Sequence, residues 1–359
     1  MKVAVLGSIL KPTLPAAGIG GISVFNYSLA AGLAMLEKPG DELSLYATGD
    51  SKVPGRLVPV VPQALVAPDQ NAGLISGKEK TIENAQLAAA LRGMKEQGVD
   101  VVHHSHYNFL PVVLSAALGL KTVVTVHVNR DISFIDDIKA GLGASLHQVH
   151  FVSISDTHRQ VHPDIEFSTT IHNGIDLGLF RVVETPQDYV AWIGRITPYK
   201  GLLEAVEAAA KAGVGLRFAG PINDEAYFAK VQERAAQTGA TYLGSVDAEG
   251  RNELLGNAKA LLVPIRWDEP FGLTMVEAMA TGTPVIAFRR GAVPEVVDDG
   301  VTGYIVPEGD IDAMAAKIAV VHQLDRRACR QRVEERFSAE RMAKAYYQFY
   351  RDMSVRGSE

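Results

Sequence analysis

The sequence predicts an α/β protein of two lobes in series, each built on a doubly wound parallel sheet. Three observations carry that prediction. The chain has 359 residues, too long for one ordinary domain and suited to two of roughly 150–180 residues. Short apolar runs closed by turn residues alternate with helical segments, the pattern of strands buried on both faces of a parallel sheet. That alternation pauses at the polar, proline-containing stretch Arg181-Val-Val-Glu-Thr-Pro-Gln-Asp188, which reads as a linker, and then restarts.

The first strand is Lys2-Val-Ala-Val-Leu-Gly7. A loop rich in Pro and Gly (Pro12, Pro15, Gly18, Gly20, Gly21) leads into a helix from about Ile22 to Lys38, with Phe25, Leu29, Leu33 and Leu36 near helical spacing. Strands at Glu42–Ala47, Asp100–His104, Thr122–Val126, His150–Ser153 and Thr169–His172 complete the first lobe. After the pause come a strand at Tyr189–Ile193, a helix at Leu202–Lys211, a strand at Gly215–Ala219 and a helix at Glu225–Gln237. Further strands fall near Thr241–Leu243, Ala260–Pro264, Pro284–Ala287 and Gly303–Val306. The tail is helical, with an apolar stripe of Met342, Ala345, Tyr346, Phe349 and Tyr350. The expected division is therefore 1–180, 181–337 and a terminal helix over 338–359. Ligands of such folds sit outside the carboxyl ends of the strands, often at a domain interface.

Composition narrows the class. Hydrophobic residues make up 47% and charged residues 21%, so either half can bury a core as a soluble domain does. A net charge of -6 argues against a nucleic-acid partner, which needs clustered Lys and Arg. Cys329 is the single cysteine, which excludes an intrachain disulfide and a multi-cysteine zinc site and fits a reducing compartment. The opening Val-Ala-Val-Leu run is too short for a signal-peptide core, and nowhere do 18 apolar residues run together. A cytoplasmic protein with no membrane-spanning segment is expected.

Gly18-Ile-Gly20-Gly21 fails as a dinucleotide fingerprint, because Ser23 stands where the third glycine belongs and the loop lies well past the strand end. It is either a glycine loop whose helix N-terminus meets an anion or a plain surface loop. In the second lobe, Trp192-Ile-Gly194-Arg195-Ile-Thr-Pro198-Tyr-Lys200-Gly201 places Arg195 and Lys200 between a strand end and a helix. Two converging cations there suit a diphosphate; two solvated surface charges are the alternative. In Arg266-Trp-Asp-Glu269-Pro-Phe-Gly272-Leu-Thr-Met-Val-Glu277, Glu269 lies in the loop before a helix and Glu277 in that helix's second turn. Glu269 is either a ligand or an electrostatic cap. Glu277, crowded by Leu273, Val276, Ala278 and Ala280, needs a partner, either sugar hydroxyls or a structural arginine.

Together, Arg195, Lys200, Glu269 and Glu277, with seven residues between the two glutamates, closely resemble glycosyltransferase family 4, whose enzymes have the two-lobed GT-B fold with a cleft between the lobes. The resemblance continues through Asp100-Val-Val-His103, Asn173-Gly-Ile-Asp176, Gly220-Pro221 and Arg290-Gly-Ala-Val-Pro294-Glu295. It implies a retaining transfer of a hexose from a nucleotide-diphosphate sugar, with a UDP-linked donor expected, to a hydroxyl acceptor. Arg195 and Lys200 would hold the diphosphate and stabilise it as leaving group, and Glu277 would bind the ribose. Glu269 would contact the transferred sugar with backbone N–H groups of Phe271, Gly272, Leu273 and Thr274. In the first lobe His127 matches the family's active-site histidine, Gly20 and Gly21 would line the cleft near the diphosphate, and the terminal helix would cross back to that lobe. The donor is a substrate, and neither cofactor nor metal is expected.

Two metal-like features read otherwise. His103 and His104 should point to opposite faces of a strand, and no carboxylate cluster joins them, His106 and His127 into a site. Asp310-Ile-Asp312 precedes a helical run and reads as a cap. The rival readings are a GT-B phosphorylase, a nucleotide-sugar epimerase, and a non-catalytic sugar-binding protein.

Overall fold

The computed structural model describes residues 1–15, 21–65, 77–105, 110–127 and 143–355. The chain divides into two units, Met1–Ile154 with Arg159–Asp176 and Ala339–Glu359, and Ser155–His158 with Leu177–Ser338. Each unit is described by itself.

Unit 1 holds strands β1 (Lys2–Leu6), β2 (Glu42–Thr48), β3 (Arg56–Val61), β4 (Val101–His104), β5 (Thr122–Val126), β6 (Val149–Ser153) and β7 (Phe167–Thr170). They lie in the order β3-β2-β1-β4-β5-β6-β7, every pair parallel. The sequence reading missed β3. Pro59 removes one ladder donor and Arg56 is exposed, which an edge strand tolerates and a central one does not.

One face of this sheet presents Val3, Val5, Val101 and Val123 to the helices Gly21–Leu36 and Ala339–Val355, through Phe25, Leu29, Met342, Tyr346 and Tyr350. The other face presents Ala4, Leu6 and Val102 to Leu87 and Leu91 of the helix Gly77–Glu96. The terminal helix thus belongs to the core of unit 1. Gly32 lets the two helices touch, since a Cβ there would stand 2.4 Å from the Ala339 carbonyl oxygen. Lys121 Nζ donates to the carbonyls of Met353 and Ser354, at 2.9 and 3.3 Å, a cation placed at the negative end of the helix dipole.

His103 has the parity of Val101 and faces these helices. Its Nδ1 lies 2.5 Å from Tyr350 Oη and its Nε2 2.7 Å from Thr125 Oγ1, which is 2.8 Å from Tyr346 Oη. Burial, with the neighbouring His127 and His104, holds the imidazole well below its ordinary pKa. The folded state therefore keeps the ring neutral, while the unfolded chain takes up a proton below about pH 6.5. The unfolded state binds more protons there, so His103 destabilises the fold as pH falls through that value and has no effect above it. Thermal unfolding followed from pH 7.5 to 5 should show a falling midpoint, and His103→Gln should flatten that slope. The slope at this site is bounded by about 1.4 kcal/mol per pH unit; an unchanged slope in the variant assigns it elsewhere.

Unit 2 holds β8 (Tyr189–Ile193), β9 (Gly215–Ala219), β10 (Thr241–Tyr242), β11 (Leu261–Val263), β12 (Val285–Phe288) and β13 (Gly303–Val306). Their order is β10-β9-β8-β11-β12-β13, again all parallel. The chain leaves β8 towards β9 and returns to β11 on the other side, so the strand order reverses between β8 and β11. That is where open α/β sheets hold ligands.

Residues 181–188, expected as a linker, are strapped onto unit 2 instead. Arg181 N donates to Asn252 Oδ1 (3.2 Å), Val183 N to Thr281 O (3.1 Å) and Gln187 N to Asn257 O (2.7 Å). Arg326 closes the strap, donating to Val183 O, Ala258 O, Gly256 O and Thr283 Oγ1 at 2.6–2.9 Å. The polar composition signalled an absence of regular structure, which is not an absence of packing. The unit boundary falls at Asp176/Leu177 instead.

Candidate active site

Two loops build the site in unit 2. After β8 the chain runs through Gly194 and Arg195 into a 3₁₀ turn, Pro198–Lys200, before the helix Leu202–Ala212. After β11 it runs from Pro264 to Phe271 and enters the helix Leu273–Ala280. The loops are joined by backbone, Arg266 N donating to Tyr199 O at 2.9 Å. Gly201 permits this closeness. Its φ is +72°, and a Cβ would fall 1.8 Å from Pro264 O, so only glycine fits. The loop after β12 adds a second tie, Ala292 N to Glu269 O at 2.9 Å.

The result is a contact between residues 69 positions apart in sequence, Lys200 Nζ to Glu269 Oε2 at 2.5 Å. Both side chains are largely covered, at 18% and 16% exposure. Trp267 joins them. Its Nε1 donates to the same Oε2 at 2.9 Å, and its ring lies 4.9 Å from Lys200 Nζ. Arg195 stands exposed two residues beyond β8.

Glu277 is buried in the second turn of the helix Leu273–Ala280, and Arg251 NH1 reaches its Oε2 at 2.5 Å. Of the two partners weighed for this carboxylate, the structural arginine is present. Arg251 lies in the helix Ala248–Gly256, and nothing in its local pattern sets it apart from a surface charge. Glu277→Ala should leave its guanidinium covered and without that carboxylate. Breaking a buried pair from one side costs about 3–5 kcal/mol, so Tm should drop sharply. Arg251→Ala with Glu277→Ala should cost less than the sum of the single changes; additive losses in thermal melts would show the pair uncoupled.

Phe271 is buried edge-on to Phe337 at 5.7 Å, which leaves its backbone as its polar contribution. Gly272 is the N-cap of the helix that Leu273 and Thr274 begin. First-turn N–H groups have no intrahelical partner and form the positive end of the helix dipole. Arg290-Gly-Ala-Val-Pro294-Glu295 has a structural role within the unit. Glu295 accepts from the backbone N–H groups of Asp156 and Thr157, both at 2.8 Å, while Ser155 Oγ donates to Pro270 O at 2.7 Å.

In unit 1, His127 is half-buried directly after β5, with the Phe25 ring edge-on at 4.5 Å. Phe25 also meets His103 and Tyr346, at 5.8 and 5.9 Å. Gly21 opens the helix Gly21–Leu36; Gly20 and His106 lie outside the described residues. Among the described residues no three His, Cys, Asp or Glu side chains are grouped to hold a metal ion. Asp310 Oδ1 accepts from Ala313 N at 2.8 Å and caps the helix Ile311–Val320, while Asp312 pairs with Lys211. No described helix is long and apolar enough to cross a membrane.

Two parallel-sheet α/β units of this topology define the GT-B class of fold. Sucrose-phosphate synthase from Thermosynechococcus elongatus superposes with a TM-score of 0.71 at 20% identity, covering 99% of both chains. Anabaena HepE in complex with UDP and glucose does so at 0.69 and 16%, covering 98% of this chain and 100% of its own. In sequence, "Glycosyltransferase Family 4" matches residues 19–179 and "Glycosyl transferases group 1" matches residues 181–336. The D-inositol 3-phosphate glycosyltransferases of Mycobacterium avium (strain 104) and Mycolicibacterium smegmatis are 28% and 29% identical, over 89% and 90% of this chain and 84% of each relative. The chain belongs to the family 4 type of glycosyltransferases.

Proposed function

We propose that this glycosyltransferase moves a hexose from a UDP-linked donor to a hydroxyl acceptor, retaining the anomeric configuration and using no metal. One observation carries the reading. At the strand-order reversal of unit 2, a cation suited to a departing diphosphate and a carboxylate suited to sugar hydroxyls meet at 2.5 Å. Lys200 and Arg195 neutralise the diphosphate, the N-terminus of the helix Leu273–Ala280 supplies N–H groups, and Glu277 takes the ribose. Glu269 holds the sugar. His127 belongs to the acceptor side. Neither glutamate acts as a nucleophile; the departing phosphate helps deprotonate the acceptor on the same face, through an oxocarbenium-like state. The protein's part is positioning and electrostatic stabilisation.

The UDP and glucose in the HepE complex support the donor class, and the relatives make an inositol phosphate the first acceptor to try. A cytoplasmic setting is supported by the single Cys329, whose burial pushes the thiol up to about 12 and keeps it unreactive. A thermal-shift panel of UDP, GDP, ADP and dTDP tests the donor, since a nucleotide at 100 times its Kd adds about 2.7 kcal/mol of stability. UDP should give the largest shift. Transfer should survive EDTA, and NMR of the product should show the donor's anomer; loss to chelator with rescue by Mn²⁺ or Mg²⁺ would overturn the metal-free part.

A further inference from the structure

We infer that Trp267 is a positioning residue that keeps Glu269 aimed at the donor sugar when Lys200 turns to the diphosphate; this rests on the donor reading above. The geometry poses a conflict. Lys200 Nζ is bound to Glu269 Oε2 at 2.5 Å, yet the same ammonium is needed on the diphosphate. A compact cation cannot serve both anions at full strength. Once Nζ leaves, Glu269 loses its charged partner in a largely covered setting, and nothing in Lys200 itself restrains the carboxylate from following the ammonium.

Trp267 supplies the restraint. Its Nε1 donates to Oε2 at 2.9 Å, and an indole N–H is a neutral donor on a stiff side chain. The ring is itself packed, meeting Tyr199 with centroids 5.6 Å apart. Its face lies 4.9 Å from Lys200 Nζ, a second resting place for the ammonium that does not involve the carboxylate. With Oε2 held by the indole, Oε1 is presented to the sugar whichever partner Lys200 has. Trp267 thereby separates sugar recognition from diphosphate recognition.

Trp267→Phe keeps a ring for Lys200 and removes the N–H. It should leave the Kd for UDP within twofold of the parent. It should also lower the extra affinity of intact UDP-sugar over UDP, and kcat, each by about tenfold, the worth of one hydrogen bond to a charged acceptor. Trp267→Leu should in addition weaken UDP binding. If Trp267→Phe keeps both the sugar increment and kcat, or loses UDP affinity in step with UDP-sugar affinity, the inference falls. A second readout needs no donor. The chain has two tryptophans, so 5-fluorotryptophan labelling gives two ¹⁹F resonances, assigned through Trp267→Phe. Glu269→Gln and Lys200→Met should each move the Trp267 signal in the ligand-free protein, and an unmoved signal overturns the contact. Failure of the parent protein to bind any nucleotide sugar, with those shifts present, would instead overturn the donor reading.

Discussion

Replacing Lys200 or Arg195 with alanine should lower kcat by about 10²–10³, the usual cost of removing one preorganised group that stabilises developing charge. On the proposed donor reading, breaking the sugar–phosphate bond moves negative charge onto the β-phosphate, so these cations should interact more strongly in the transition state than with the bound donor. Interactions of that kind raise the chemical rate rather than affinity alone. The resting contact between Lys200 Nζ and Glu269 Oε2 adds a difference between the two variants. Lys200→Ala takes the ammonium from Glu269 and leaves its Oε2 to the Trp267 N–H, so the sugar increment should hold, whereas Arg195→Ala, at an exposed position, leaves the resting ion pair in place. The double variant should lose less than the product of the single losses, because both act on one leaving group. Steady-state kinetics over a range of donor concentrations checks this; a raised KM with kcat intact would make the cations docking residues only.

Ending the chain at Ser338 should unfold unit 1 while unit 2 stays folded. The helix Ala339–Val355 buries Met342, Ala343, Tyr346, Tyr350 and Met353 in the core of unit 1. Each large side chain contributes about 1.5–3 kcal/mol by leaving water, and four of them approach the whole stability of a typical domain, about 5–15 kcal/mol. His103 and Thr125 would also lose Tyr350 and Tyr346 as partners. Circular dichroism should show one of two melting transitions gone, and limited proteolysis should spare residues 177–338. Tyr350→Phe is the milder control. It keeps the ring and removes the hydroxyl beside His103 Nδ1, at about 1–3 kcal/mol. A truncated chain with both transitions intact would make the helix an accessory.

Much of this molecule was legible because its parallel strands are short, apolar and closed by turn residues. β5, β8, β9 and β13 have the expected limits. β3 escaped because an edge strand tolerates Pro59 and exposed positions. In the candidate site, type and spacing single out four charged residues as candidates, but not two of the side chains that pair with them. Trp267 sat inside a motif already singled out, and no periodicity says that an indole N–H will share a carboxylate with a lysine. Arg251 is harder still, since its pairing with Glu277 depends on how the helix Ala248–Gly256 lies against the helix Leu273–Ala280.

Unit 1 is assembled from the first and the last parts of the chain, and this orders events at the ribosome. Its sheet is complete by Thr170, yet the second of the two helices that cover one face begins only at Ala339. The main segment of unit 2, Leu177–Ser338, is made in the interval. At about 5–20 residues per second, the apolar face that will receive Tyr346 and Tyr350 waits of the order of ten seconds or more for its cover. Unit 2 should therefore finish folding first, and a ribosome stalled before residues 339–355 emerge should carry a nascent chain that recruits hydrophobic-surface chaperones through unit 1.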